Sequence, residues 1–117
     1  MELVSRTRMT AGHYTLGMDR REAFAHETTW AGTVTMEPRT DSGWHHHGNH
    51  LSYLYIESGS PRFETREGTT LDCGPGDFIF IPPKEVHREV NPGDEPARVV
   101  LFRMGSGEVV VNLDVAD

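Results

Sequence analysis

Beyond Trp30 the chain alternates short runs of β-branched and aromatic residues with clusters of Gly, Pro, Asp and Asn, and a 3.6-residue apolar period is hard to find. The runs predict strands over 33–37, 51–57, 62–66, 69–72, 78–81, 97–104 and 108–111. Turn chemistry separates them at Ser58-Gly59-Ser60-Pro61, Glu67-Gly68, Gly74-Pro75-Gly76-Asp77, Asn91-Pro92-Gly93-Asp94 and Gly105-Ser106-Gly107. Short strands with close turns predict an all-β sandwich or barrel. One short helix is expected over Met18–Ala25. With no repeat, low-complexity tract or linker, residues 1–117 are expected to form one domain with its barrel over about 30–111.

Composition narrows the function. At 36% hydrophobic and 25% charged residues the chain is ordinary for a folded soluble protein. No run approaches the ~18 apolar residues that span a bilayer, so no membrane partner is expected. The start, MELVSRTRMT, lacks an apolar core with a cleavage site, which predicts the cytoplasm. A net charge of −7 with scattered basic residues argues against nucleic acid as a partner. Cys73, the single cysteine, closes no internal disulfide and reads as a small apolar residue.

The stretch SGWHHHGNHL, from Ser42 to Leu51, holds four of the seven histidines. On a strand, alternate residues share a side, so His45 and His47 face one way and His46 the other. Imidazole suits borderline cations, but two ligands rarely suffice, and His87 in IPPKEVHREVN is the third candidate. Pro82-Pro83 stops the strand before it and turns the chain. His50, after the turn at Gly48-Asn49, is either a fourth ligand or a supporting hydrogen-bond donor. His13 and His26 have no ligand partner nearby in sequence and read as surface or hydrogen-bonding residues.

Two stretches in this order resemble the motifs of the cupin superfamily, specifically its small single-domain members. The first is PRTDSGWHHHGNHLSYLYIESG, closing at Gly59; the second is GDFIFIPPKEVHREVN, from Gly76 through Pro82 and His87 to Asn91. The resemblance implies a double-stranded β-helix, or jelly-roll, barrel. It also implies a divalent metal on His45, His47 and His87. Cupins with four protein ligands place a glutamate seven residues before the closing glycine, where this chain has Ser52, and Lys84 stands where the second motif has glycine. An all-histidine site is therefore expected, open to water, oxygen or an anionic substrate.

Three-histidine cupins resemble non-haem iron dioxygenases acting on thiols or diketones, so Fe²⁺ is the metal expected first, with Zn²⁺, Mn²⁺, Ni²⁺ or Cu²⁺ as alternatives. The expected activity is that of a small-molecule dioxygenase. A non-catalytic module that binds or senses a metabolite or metal is the alternative, and a metal-free sugar-derivative isomerase or epimerase a weaker one. Ser52, Leu54 and Ile56, with Trp44, Phe78 and Phe80, are expected to line the substrate pocket. Asp77 reads as a turn former rather than an acid or base. A homodimer is expected, through packed sheets or the terminal segment GEVVVNLDV.

Overall fold

The described residues form twelve short strands: β1 (Thr10–Ala11), β2 (Met18–Ala25), β3 (Thr29–Met36), β4 (Thr40–Asp41), β5 (His45–His46), β6 (Leu51–Ser58), β7 (Arg62–Thr65), β8 (Thr70–Asp72), β9 (Phe78–Ile81), β10 (His87–Asn91), β11 (Ala97–Met104) and β12 (Val111–Asn112). The computed structural model describes residues 1–113. The last two residues of GEVVVNLDV, Asp114 and Val115, lie outside them. One antiparallel sheet runs β1-β2-β3-β11-β6-β9, and the other runs β12-β5-β10-β7-β8 with β4 on the side of β10. The two sheets face each other as an open double-stranded β-helix. Among the described residues no helix is long and apolar enough to cross a membrane.

Period-two patterning builds the interior. Leu54 and Ile56 of β6, Val99 and Leu101 of β11, Val34 and Met36 of β3, and Ile79 and Ile81 of β9 all point inward. β6 and β9 pair in one register, Leu54 opposite Ile79 and Tyr53 opposite Phe80, which fixes both faces at once. Gly59 closes the turn after β6 at φ +85°, and a Cβ there would lie 2.6 Å from Ala97 Cα. Only glycine fits that approach.

The helix expected over Met18–Ala25 is a strand. It pairs with β3 from Met18 opposite Met36 to Ala25 opposite Trp30, with a bulge between Glu22 and Phe24. Eight residues are too few for a helix to stand on its own propensity, whereas β3 supplies a ladder along their full length. The strand expected over 108–111 is shorter and shifted: among the described residues of this segment Val111–Asn112 pair, on β5 of the same chain. β10 lies outside the expected strands because its alternate residues, His87, Glu89 and Asn91, are polar although buried.

Candidate metal centre

β5 and β10 lie side by side in register, with His45 directly opposite His87. His47 follows where β5 ends. The loop carrying it is tied to the Pro82-Pro83 turn, because the Lys84 N–H donates to Gly48 O at 2.9 Å. Lys84 itself sits at φ 64°, the left-handed conformation that glycine adopts without strain. Ser42 clamps the middle of β10: the Glu89 N–H donates to Ser42 Oγ at 2.8 Å and the Ser42 N–H to Glu89 O at 2.9 Å.

These constraints gather His45, His47, His87 and Glu89, all buried, with one ligand atom of each within 4.8 Å of the others. The ring centroids of the three histidines stand 4.4 to 5.1 Å apart. Each imidazole is fixed from behind. The Nδ1–H of His45 donates to Gly43 O at 2.9 Å, that of His47 to Val109 O at 2.8 Å, and that of His87 to Glu85 O at 2.9 Å. A neutral imidazole that donates from Nδ1 presents its Nε2 lone pair, so all three lone pairs turn inward. Glu89 Oε2 meets two of them, at 3.0 Å from His45 Nε2 and 3.3 Å from His87 Nε2. Three lone pairs and a carboxylate facing one another repel unless protons or a cation lie between them. The donor set, three imidazoles and one carboxylate, fits a divalent ion of the Fe²⁺, Mn²⁺, Ni²⁺ or Zn²⁺ type.

Electrostatics bear this out. Burial pushes the His47 pKa down to about 3, so it stays neutral and ligand-ready. Burial also opposes charge on His87, but the hydrogen bond and charge of Glu89 outweigh it and raise its pKa. Glu89 is held well below the usual carboxylate range: burial opposes its charge, and the His45 and His87 side chains against its Oε2 prevail. A divalent ion held by these four residues would take the place of a proton on His87 Nε2 and offset the charge of Glu89.

Sequence reasoning missed Glu89. The signal was present, since the alternation that pairs His45 with His47 also puts Glu89 on the side of His87. The all-histidine expectation is thus corrected: a carboxylate reaches the site from β10 instead of from position 52. His50 stands outside the group; its Nδ1 lies 3.1 Å from both His47 O and Glu108 O, where it braces the His47 loop. His46 faces the other way, and its Nδ1 accepts the Gly48 N–H at 3.0 Å.

Of the expected pocket residues, Ser52 and Leu54 line a small inner cavity beside the cage, of about 10 Å³, together with Arg20, His47, Glu89 and Arg103. Ile56 is packed in the core at 0% exposure. Phe78 and Phe80 lie on the outer face, at 78% and 51% exposure, because Ile79 and Ile81 take the inward positions. Trp44 is on the outside of the second sheet, where the guanidinium groups of Arg66 and Arg88 lie over its ring, 5.1 and 4.8 Å from the centroid. Asp77 accepts the Gly74 N–H at 2.8 Å, the turn role expected of it. A mouth cavity of about 390 Å³ opens beyond the inner one, lined by Trp30, Val109, His13, His26 and His50, with Arg20 and Arg103 shared between the two.

A β-helix of two facing sheets with a histidine and carboxylate cage inside defines a cupin. The family described as Cupin domain matches residues 32–103, more than half of the chain, and the chain belongs to that family. Among solved structures it is similar to the polyketide cyclase RemF from Streptomyces resistomycificus, at 21% identity over 100% of this chain and 88% of that one, with TM-score 0.84. It is similar also to KdgF from Halomonas sp., at 19% identity over 91% of this chain and 96% of that one, with TM-score 0.75. The cupin domain of Schizosaccharomyces pombe Cnp3 is a third, at 16% identity over 87% and 72%, with TM-score 0.75. At such identities the likeness is one of fold. Among curated proteins none matches in sequence.

Proposed function

We propose that this cupin is a metal-dependent enzyme acting on a small organic molecule, with Fe²⁺ and dioxygenase-type chemistry as the leading reading. The observation that supports it is the set of three buried imidazoles, each locked by a carbonyl at Nδ1, converging on one buried carboxylate. A divalent ion bound there supplies Lewis acidity or, as Fe²⁺, activation of O₂. The chain's own residues do the rest. Glu89 offsets the charge, the carbonyls of Gly43, Glu85 and Val109 keep the imidazoles neutral and aimed, and Met36, Leu54, Val99 and Leu101 keep water scarce around the inner cavity. The mouth cavity has the volume for a drug-sized or smaller molecule.

Iron-loaded, untagged protein tests this reading: oxygen uptake with members of a panel of thiols, diketones and phenolics supports it. Silence across the panel at full iron occupancy overturns the dioxygenase assignment. Glu89 and the likeness to the polyketide cyclase RemF favour a second reading, in which a Zn²⁺ or Mn²⁺ ion polarises a substrate oxygen without O₂. Turnover under anaerobic conditions separates the two. A ligand that co-purifies and stays chemically unchanged in native mass spectrometry supports a binding module instead. We also propose a cytoplasmic homodimer paired through the outer aromatic face of β6, β9 and β11, where Tyr53, Phe78, Phe80 and Phe102 stand exposed side by side.

A further inference from the structure

Two arginines occupy inward positions where period-two patterning otherwise places core residues. Arg20 of β2 is 8% exposed and Arg103 of β11 is 7% exposed. Both line the inner cavity with His47, Ser52 and Glu89, and both line the mouth cavity, so they flank the throat between them. Arg103 stands directly opposite Ser52 in the β11–β6 register. Arg103 Nε and Ser52 Oγ are both buried without a hydrogen-bond partner. Arg20 is oriented by Thr15 Oγ1 at 2.9 Å and His13 O at 3.4 Å, both reached by one of its terminal nitrogens.

Neither guanidinium forms an ion pair with a carboxylate among the described residues. Glu89 is the one acidic residue lining the inner cavity, and its Oε2 is engaged by His45 and His87. Two guanidiniums against one carboxylate leave a surplus positive charge among buried side chains, before any metal adds to it. Buried charge is costly unless paired, so two arginines sharing one carboxylate that His45 and His87 already engage point to an anion that arrives from outside. Burial lowers the pKa of both, and that of Arg103 to about 10, which leaves them protonated at neutral pH.

We infer that Arg20, Arg103 and Ser52 form an anion subsite at the throat, which receives a carboxylate of the substrate while the rest of that molecule occupies the mouth cavity. The planar fork of arginine matches a carboxylate in bidentate fashion. The inner cavity, of about 10 Å³, is small, so the bulk of such a ligand belongs in the mouth cavity of about 390 Å³. Trp30 and Val109 offer apolar surface to the body of the ligand in the mouth. The word substrate rests on the enzymatic reading above; the subsite itself does not.

The test is a calorimetric titration of the metal-free, full-length chain with benzoate and with benzamide, which match in shape and differ in charge. Benzoate is expected to bind at least tenfold more tightly. Arg103→Gln and Arg20→Gln are each expected to weaken benzoate at least tenfold, with zinc binding no weaker than in the parent protein. Equal affinity for the two probes, absence of benzoate binding, or full benzoate affinity in Arg103→Gln overturns the subsite. The comparison of the two probes on the unmodified protein decides the matter even where a variant does not fold. Benzoate preference in a protein that binds no metal upholds the subsite and sinks the metal-dependent reading; metal binding without that preference does the reverse.

Discussion

Glu89→Gln removes one negative charge from the cage while leaving the shape of the side chain almost unchanged. Glu89 Oε2 lies 3.0 Å from His45 Nε2 and 3.3 Å from His87 Nε2, so any cation held by those imidazoles is held beside the carboxylate. At an effective dielectric near 20, two unit charges about 3 Å apart attract by roughly 5 kcal/mol. Removing one partner of a buried pair costs about 3–5 kcal/mol in practice, which at about 1.4 kcal/mol per decade is a loss of roughly 10²- to 4 × 10³-fold in affinity. Arg20 and Arg103 line the same inner cavity and act in the same direction once the carboxylate is gone. Zinc affinity is measured by competition with a chromophoric chelator near neutral pH, and urea melts of the metal-free proteins establish that the variant is folded. A folded Glu89→Gln protein that binds zinc within about threefold of the parent would refute the assignment of Glu89 to the site.

The histidines divide in a related experiment. Alanine at His45, His47 or His87 is expected to abolish bound metal and His46→Ala to leave it nearly intact, whereas His50→Ala, which unbraces the His47 loop, is expected to weaken binding roughly 10- to 100-fold. The opposite pattern, metal lost in His46→Ala and kept in His45→Ala, would mean the strand is out of register by one. In chelator-treated protein the folded His47 pKa of about 3 lies below the ordinary 6.5, so the unfolded chain takes up a proton that the folded chain refuses. Stability therefore falls as the pH drops below 6.5, by about 2 kcal/mol at pH 5. His87 contributes the other limb: its raised pKa stabilises below 6.5 and that contribution is lost as pH rises through the folded value. Urea midpoints unchanged between pH 6.5 and 5 would show that His47 is not buried as described. For the dimer, light scattering at micromolar concentration is expected to give twice the chain mass and Phe78→Ser with Phe80→Ser the mass of one chain; a strictly monomeric parent protein refutes the pairing.

Much of the site could be read before the structure, and the reasons why part of it could not are physical. His45 and His47 follow from strand alternation alone, and His87 from its place after a double proline. Glu89 needed only the same rule applied to HREVN, but a polar strand carries no apolar period to announce it, and the serine at position 52 gives no hint that a carboxylate arrives from elsewhere. Arg20 had a comparable effect on β2. With an arginine at a buried position, MDRREAFA shows no period-two apolar pattern, and a charged run of good helix formers reads as a helix. In FIFI both faces are apolar, so alternation cannot choose between them; the choice belongs to β6, where Leu54 and Ile56 face in and the tyrosines face out. The misplaced residues thus share one cause, a strand whose inward face is polar or whose two faces are alike.

The most direct test of the metal centre is elemental analysis of untagged protein purified without added metal, alongside His87→Ala prepared in the same way. The cage of His45, His47, His87 and Glu89 predicts close to one transition-metal ion per chain in the parent protein and almost none in the variant. A parent protein with only trace metal that also fails to take up Fe²⁺, Mn²⁺ or Zn²⁺ on dialysis, or a variant that retains the full amount, would contradict the account.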